Sequence, residues 1–201
     1  MQLPCSEELN IEYLGRLFDN TSECYKFFWF KAIVAKVTEG KQEISYEELV
    51  DEMIADAWYM VTEYHLNLGP KDTLGAVVNL IKQKYPELKS CEKKTEILDL
   101  LKNTQDRDIN SKKRTLTYNV PYRLQSPFMP SMKGKEWDVS ESNLIAKINQ
   151  EQRLMYYFTA LNGLSISIIV NDDWANYIIK NQKIIRGWLE YNMILYIQKR
   201  N

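Results

Sequence analysis

The chain has 201 residues, 45% hydrophobic and 26% charged, a balance that suits one folded domain able to bury a sizeable core. Seven glycines and six prolines are too few for collagen-like, mucin-like or linker-dominated architectures. Net charge is −1 but uneven: residues 1–85 hold 8 basic and 14 acidic side chains, residues 86–201 hold 18 and 13, so only the second half has the sign that meets phosphates.

The first segment, Glu7 to Asp19, places Leu9, Tyr13, Leu14, Leu17 and Phe18 on one helical face. Asn20-Thr21-Ser22 breaks it and offers an N-cap. The next helix, Glu23 to Glu39, is apolar nearly all round, the pattern of a helix buried mid-domain, and Gly40 suits its C′ position. Ser45 and Glu48 form a capping box. After it Leu49, Val50, Met53, Ile54, Ala57, Trp58 and Val61 recur at helical spacing, while Glu47, Glu48, Asp51, Glu52 and Asp56 form an opposite face expected to be solvated. Gly69-Pro70 is expected to end this helix and start another, which Pro86 stops.

A helix is expected over Ser90 to Asn103, and a further short one within 104–117. From Asn119 to Gly134 the prolines Pro121, Pro127 and Pro130 predict an irregular, extended stretch. Ser140 is expected to cap a helix reaching about Gln152. Met155 to Thr159 and Ser165 to Val170 read as strands, with Asn162-Gly163 as the hairpin signal. Asn171 then caps a long closing helix that Asn181 and Gly187 are expected to interrupt. The fold class is mainly α: a multi-helix globular domain with a small β-hairpin late in the chain. Residues 1–201 form one domain, or alternatively a helical half (1–103) and a basic half (104–201).

The only histidine is His65, which excludes Cys2His2 zinc fingers and any catalytic site needing several histidines. The three cysteines lack a CxxC spacing and fit free thiols in a reducing, cytoplasmic setting. The N-terminus has no secretory pattern, and no apolar run reaches membrane-spanning length. His65 reads as a structural, helix-end residue. Glu92-Lys93-Lys94, with Asp72 upstream, matches half of a metal-nuclease pattern, but Glu is favoured at a helix start anyway. Trp29 and Trp58 read as core.

The residues singled out for binding are Arg107, Lys112, Lys113, Arg114, Arg123, Lys133 and Lys135 as phosphate contacts, with Tyr122 and Trp137 as stacking groups. The same mixture also describes an ordinary tyrosine-rich surface.

Four blocks carry a family resemblance: Cys24 to Ile33 (CYKFFWFKAI), Met53 to Tyr59 followed by Leu66 to Gly69 and Asp72, Val120 to Phe128 (VPYRLQSPF), and Trp174, Tyr177 and Asn181 running on to Tyr196 to Asn201. Together they resemble the N-terminal, non-nuclease region of bacterial HNH endonucleases. The resemblance covers nearly the whole chain and implies a DNA-positioning or assembly domain whose nuclease module would lie beyond Asn201. No catalytic residue transfers, because none of the matching blocks is the nuclease motif. No cofactor is expected in this chain, and the divalent metal of such an enzyme would belong to the nuclease module. Expected partners are DNA and the nuclease module or a second copy of the chain, without a membrane. The alternative is a protein-interaction or oligomerisation module that binds no nucleic acid.

Overall fold

A short helix α1 (Ile11–Gly15), capped by Asn10, leads into α2 (Tyr25–Thr38), which the rest of the chain surrounds. The computed structural model describes residues 2–19, 21–159 and 163–201. Phe27, Phe28, Trp29, Phe30, Ile33 and Val34 point to different sides of α2 and all are buried, so this helix needs neighbours all round. It packs against α3 (Tyr46–Thr62) and α9 (Asp172–Gln198). The expected first helix is shortened: α1 ends at Gly15, and the chain turns through residues 16–19 to bury Leu17. Asn20, part of the expected break, lies outside the described residues.

Strand β1 (Glu43–Ser45) precedes α3 without a connecting loop, because Ser45 is both its last residue and the N-cap of α3. The Ser45 hydroxyl accepts from the Glu48 amide at 3.2 Å, and the Glu48 carboxylate accepts from the Ser45 amide at 3.1 Å. The helix stops at Thr62, well before Gly69-Pro70, so residues 63–72 form a loop. His65 in that loop has φ 51°, left-handed and past the helix end. Gly69 has φ 155°, a backbone conformation that strains any residue with a side chain, which favours glycine at this turn.

Helix α4 (Thr73–Lys84) packs against α3, with the Asp72 carboxylate capping it through the Gly75 amide at 2.7 Å. Helices α5 (Lys94–Asn103) and α6 (Arg107–Thr115) cover α3 and α4 respectively. The stretch expected to be extended is instead folded into α7 (Val120–Arg123) and two 3-10 turns, Ser126–Phe128 and Gly134–Trp137. The prolines do not prevent this, since Pro121 and Pro127 stand in the first turns, where no amide donor is needed.

Helix α8 (Glu141–Gln150) follows, then β2 (Tyr156–Phe158) and β3 (Ser167–Val170). Ser140 contributes no side-chain cap. Strands β2 and β3 pair antiparallel, and β1 adds to the other edge of β3, giving the order β1-β3-β2. The late hairpin is therefore part of a three-stranded sheet whose third strand comes from the first quarter of the chain. Asn162 of the hairpin signal lies outside the described residues. Ile44, Ile168 and Phe158 align across the sheet and are buried, whereas Ile169 points the other way.

In α9 the backbone leaves helical geometry at Asn181 (φ −111°, ψ 16°), whose side-chain amide donates to the Tyr177 carbonyl. Gly187 does not interrupt the helix. The last turn is held by side chains: Tyr196 donates to the Ser22 carbonyl, Arg200 also reaches Ser22, and Asn201 bonds both backbone groups of Asn67. One hydrophobic core runs from Leu3 to Ile197 and draws on both halves of the chain. Trp29 and Trp58 lie in it. Among the described residues no helix is long and apolar enough to cross a membrane.

Ile168→Ala on the central strand is expected to cost about 3 kcal/mol in chemical denaturation, and Ile169→Ala on the exposed face less than about 0.5 kcal/mol. Equal losses would contradict the register.

Candidate nucleic-acid interface

The start of α2, the 69–73 loop, the α6–α7 corner and the Gly134–Trp137 turn enclose a cleft of about 870 Å³. Lys26, Lys71 and Arg123 line it, against one acidic lining residue, Glu23. Glu23 is drawn toward the loop, where it accepts from the Lys71 amide at 3.4 Å. The Tyr25 hydroxyl fixes the same wall: it donates to the Lys71 carbonyl at 2.5 Å and accepts from the Thr73 amide at 2.8 Å.

On the opposite wall the Arg123 guanidinium lies 5.5 Å from the ring centre of Trp137 and pairs with Asp138 at 2.7 Å. The Trp137 indole donates to the Met132 carbonyl at 3.1 Å, which sets its plane. Tyr118 stands at the cleft with 65% of its surface exposed. Burial, and then the like charge of Arg123, hold the Lys26 ammonium below the usual lysine range, while Asp19 acts the other way. Two cations in one partly desolvated cleft favour an anionic occupant.

The nine residues singled out from sequence separate. Arg123 and Trp137 line the cleft. Lys133 and Lys135 are exposed on either side of Gly134, which also lines it. Arg107, Lys112 and Arg114 are exposed on α6 and outside the cleft lining. Trp137 is 7% exposed, and its face serves Arg123.

Lys113 and Tyr122 must be moved from the surface to the interior. Lys113 is fully buried, its ammonium 2.6 Å from Asp51 and 3.4 Å from Glu47. Tyr122 is 1% exposed, and its hydroxyl donates to Glu141 at 2.5 Å and accepts from Tyr46 at 3.1 Å. Sequence reasoning missed Lys26 and Lys71 as cleft residues. Lys26 sits in an aromatic helix, where nothing in the pattern distinguishes a cleft cation from a snorkelling one; Lys71 sits in a loop read as punctuation.

The face of α3 expected to be solvated is largely covered. Asp51 and Glu52 are buried, and lysines from three helices reach them. Lys36 of α2 and Lys94 of α5 each approach Glu52 at 2.6 Å. Lys94 also meets Asp56 at 2.9 Å, and Lys31 meets Asp56 at 3.4 Å. Burial alone would raise the Glu52 carboxyl, but its bonds to Lys36 and Lys94 outweigh that and hold it below the usual range. Burial pushes Asp51 up to about 6, against the pull of Lys113.

The half-pattern of a metal nuclease is dispersed among structural tasks. Asp72 caps α4, Lys94 neutralises Glu52 and Asp56, and Glu92 lines a separate open groove beside Glu96 and Asp99. Among the described residues no three His, Cys, Asp or Glu side chains come together to hold a metal ion. Compared with models of known families, with curated proteins and with solved structures, the chain matches none.

Lys113→Met leaves Asp51 buried without its 2.6 Å partner, so a loss of about 3 kcal/mol is expected in urea denaturation at pH 7. Asp51, already raised, is raised further in the variant. Its stabilising share is complete below the ordinary aspartate range and is lost as pH rises through the folded value, so the deficit is expected to shrink from pH 7 to pH 5. A deficit independent of pH would assign the loss to packing alone.

Proposed function

We propose that this chain is a non-catalytic DNA-positioning domain, in keeping with its resemblance to the N-terminal region of bacterial HNH endonucleases. The observation that carries the reading is the convergence of Lys26, Lys71 and Arg123 in one cleft with the exposed ring of Tyr118. Cations neutralise phosphates and aromatic groups meet bases, and here one concave surface offers both. Lys133 and Lys135 extend the positive charge beside Gly134. On this reading strand cleavage and its divalent metal fall to a nuclease module, as the resemblance implies.

Fluorescence anisotropy with random-sequence duplex and single-stranded DNA at two salt concentrations, without metal, tests this. Salt-sensitive binding is expected, and Arg123→Met should flatten the log–log salt slope by about 1. Binding of neither form at low salt would overturn the reading.

A second reading, assembly, is favoured by α9. Beyond the kink Ile184, Tyr191, Ile194 and Leu195 are 38–52% exposed, an apolar stripe along a helix otherwise packed on α2. Under this reading sedimentation equilibrium gives a mass that rises with concentration and falls back for Tyr191→Glu/Ile194→Glu. A strict monomer at every concentration would remove it.

A further inference from the structure

The cleft has the dimensions of a small-ligand site. Its volume of about 870 Å³ falls within the range of about 300–1,000 Å³ that holds one compact ligand. Its cations come from two elements packed together, Lys26 from α2 and Arg123 from α7. A paired duplex offers such a cleft its outer phosphates but keeps its bases stacked inside, away from the aromatic ring at the cleft. A nucleotide at a strand end or swung out of the stack brings its base to that ring as well.

The rest of the lining suits the remaining parts of a nucleotide. Arg123 is pre-positioned by Asp138 and Trp137, and a guanidinium with one donor on Asp138 keeps others for phosphate oxygens. Tyr118 presents a largely exposed ring at the same cleft, and an aromatic face there receives a base of any sequence. Asn119 occupies the N-cap of α7 without capping it through its side chain, and it lines the cleft beside Tyr118. Its amide can serve as donor and acceptor to a base edge.

We propose that the cleft is a single-nucleotide subsite, with the phosphate held between Lys26 and Arg123 and the base stacked on Tyr118, so that the domain prefers an unpaired nucleotide to closed duplex. This rests on the DNA-positioning reading and names the part of the nucleic acid that the site takes. A free nucleoside monophosphate offers the same chemistry, and the test separates the two sources.

The experiment titrates the full chain with a labelled oligothymidylate strand and with a duplex of equal length, both at low salt. Unlabelled thymidine monophosphate, thymidine and inorganic phosphate are then used as competitors. The strand is expected to bind at least about 10-fold more tightly than the duplex, a factor within reach of one base stack. Tyr118→Ala should remove most of that preference, Tyr118→Phe should keep it, and Lys112→Ala on α6 should leave it unchanged. Because Tyr118 is exposed, its replacements test contact, not folding. Thymidine monophosphate should compete better than either thymidine or phosphate. If it binds as tightly as the strand, the subsite stands with a free nucleotide as its ligand. Equal strand and duplex affinities, unaltered by Tyr118→Ala, would overturn the subsite while leaving the DNA-positioning reading in place. If neither strand nor duplex binds, that reading falls as well, whatever the monophosphate does.

Discussion

Neutralisation of the α3 carboxylates is the constraint on which the surrounding architecture depends. An isolated carboxylate cannot be buried cheaply, so Asp51 and Glu52 require cations delivered at close range. Those cations come from α2 and α5, which pack on α3, and from α6, which packs on α4 and reaches α3 through Lys113. The pairs need not add much net stability, because the desolvation they require offsets much of their attraction. They restrict how the helices can be arranged: shifting α6 on α4 would strand the Lys113 ammonium in the interior. The apolar anchor of α6 is small, Ile109 alone being buried with Lys113, so charge matching carries a share of its positional information.

The position of α6 passes to the cleft through a short path. Tyr118 and Asn119 follow α6 at once, and α7 sets Arg123 on the next turn. Tyr122, on that same turn, is anchored inside through Tyr46 and Glu141 while its neighbour Arg123 faces the cleft. The burial of Tyr122 therefore aims Arg123. The opposite wall is stiffened in a different manner, by the Tyr25 hydroxyl bridging two backbone groups of the 69–73 loop. Both walls hold their cations on supports that are already ordered, which lowers the entropy that a ligand must overcome.

Much of the helical order was legible because it was written in local signals: the Ser45–Glu48 capping box, the apolar α2, the Asn171 cap and the Asn181 interruption. What escaped was non-local. Strand β1 is three residues long and acquires its identity only by pairing with β3, more than 120 positions later. The acidic face of α3 looked solvated because its lysine partners lie on other helices and carry no sequence mark of their destination. Lys112, Lys113 and Arg114 formed one basic run, yet helical geometry sends the middle one inward and leaves its neighbours outside. The cleft was half legible, since Arg123 and Trp137 belong to a segment whose basic and aromatic content stood out, while the wall supplied by Lys26 and Lys71 arrives from distant sequence.

The last turn of α9 grips the loop that forms one side of the cleft. Tyr196 and Arg200 hold Ser22, and Asn201 is hydrogen-bonded to Asn67 just ahead of the 69–73 segment. The exposed stripe at Tyr191, Ile194 and Leu195 lies within two turns of those contacts. The helix end thus joins an outer face to an inner wall through direct hydrogen bonds. A partner on the stripe that moved this helix end would move the bonded wall with it. Thermodynamic reciprocity then requires that whatever widens or narrows the cleft from outside is itself bound more or less tightly, by the same factor, once the cleft is filled.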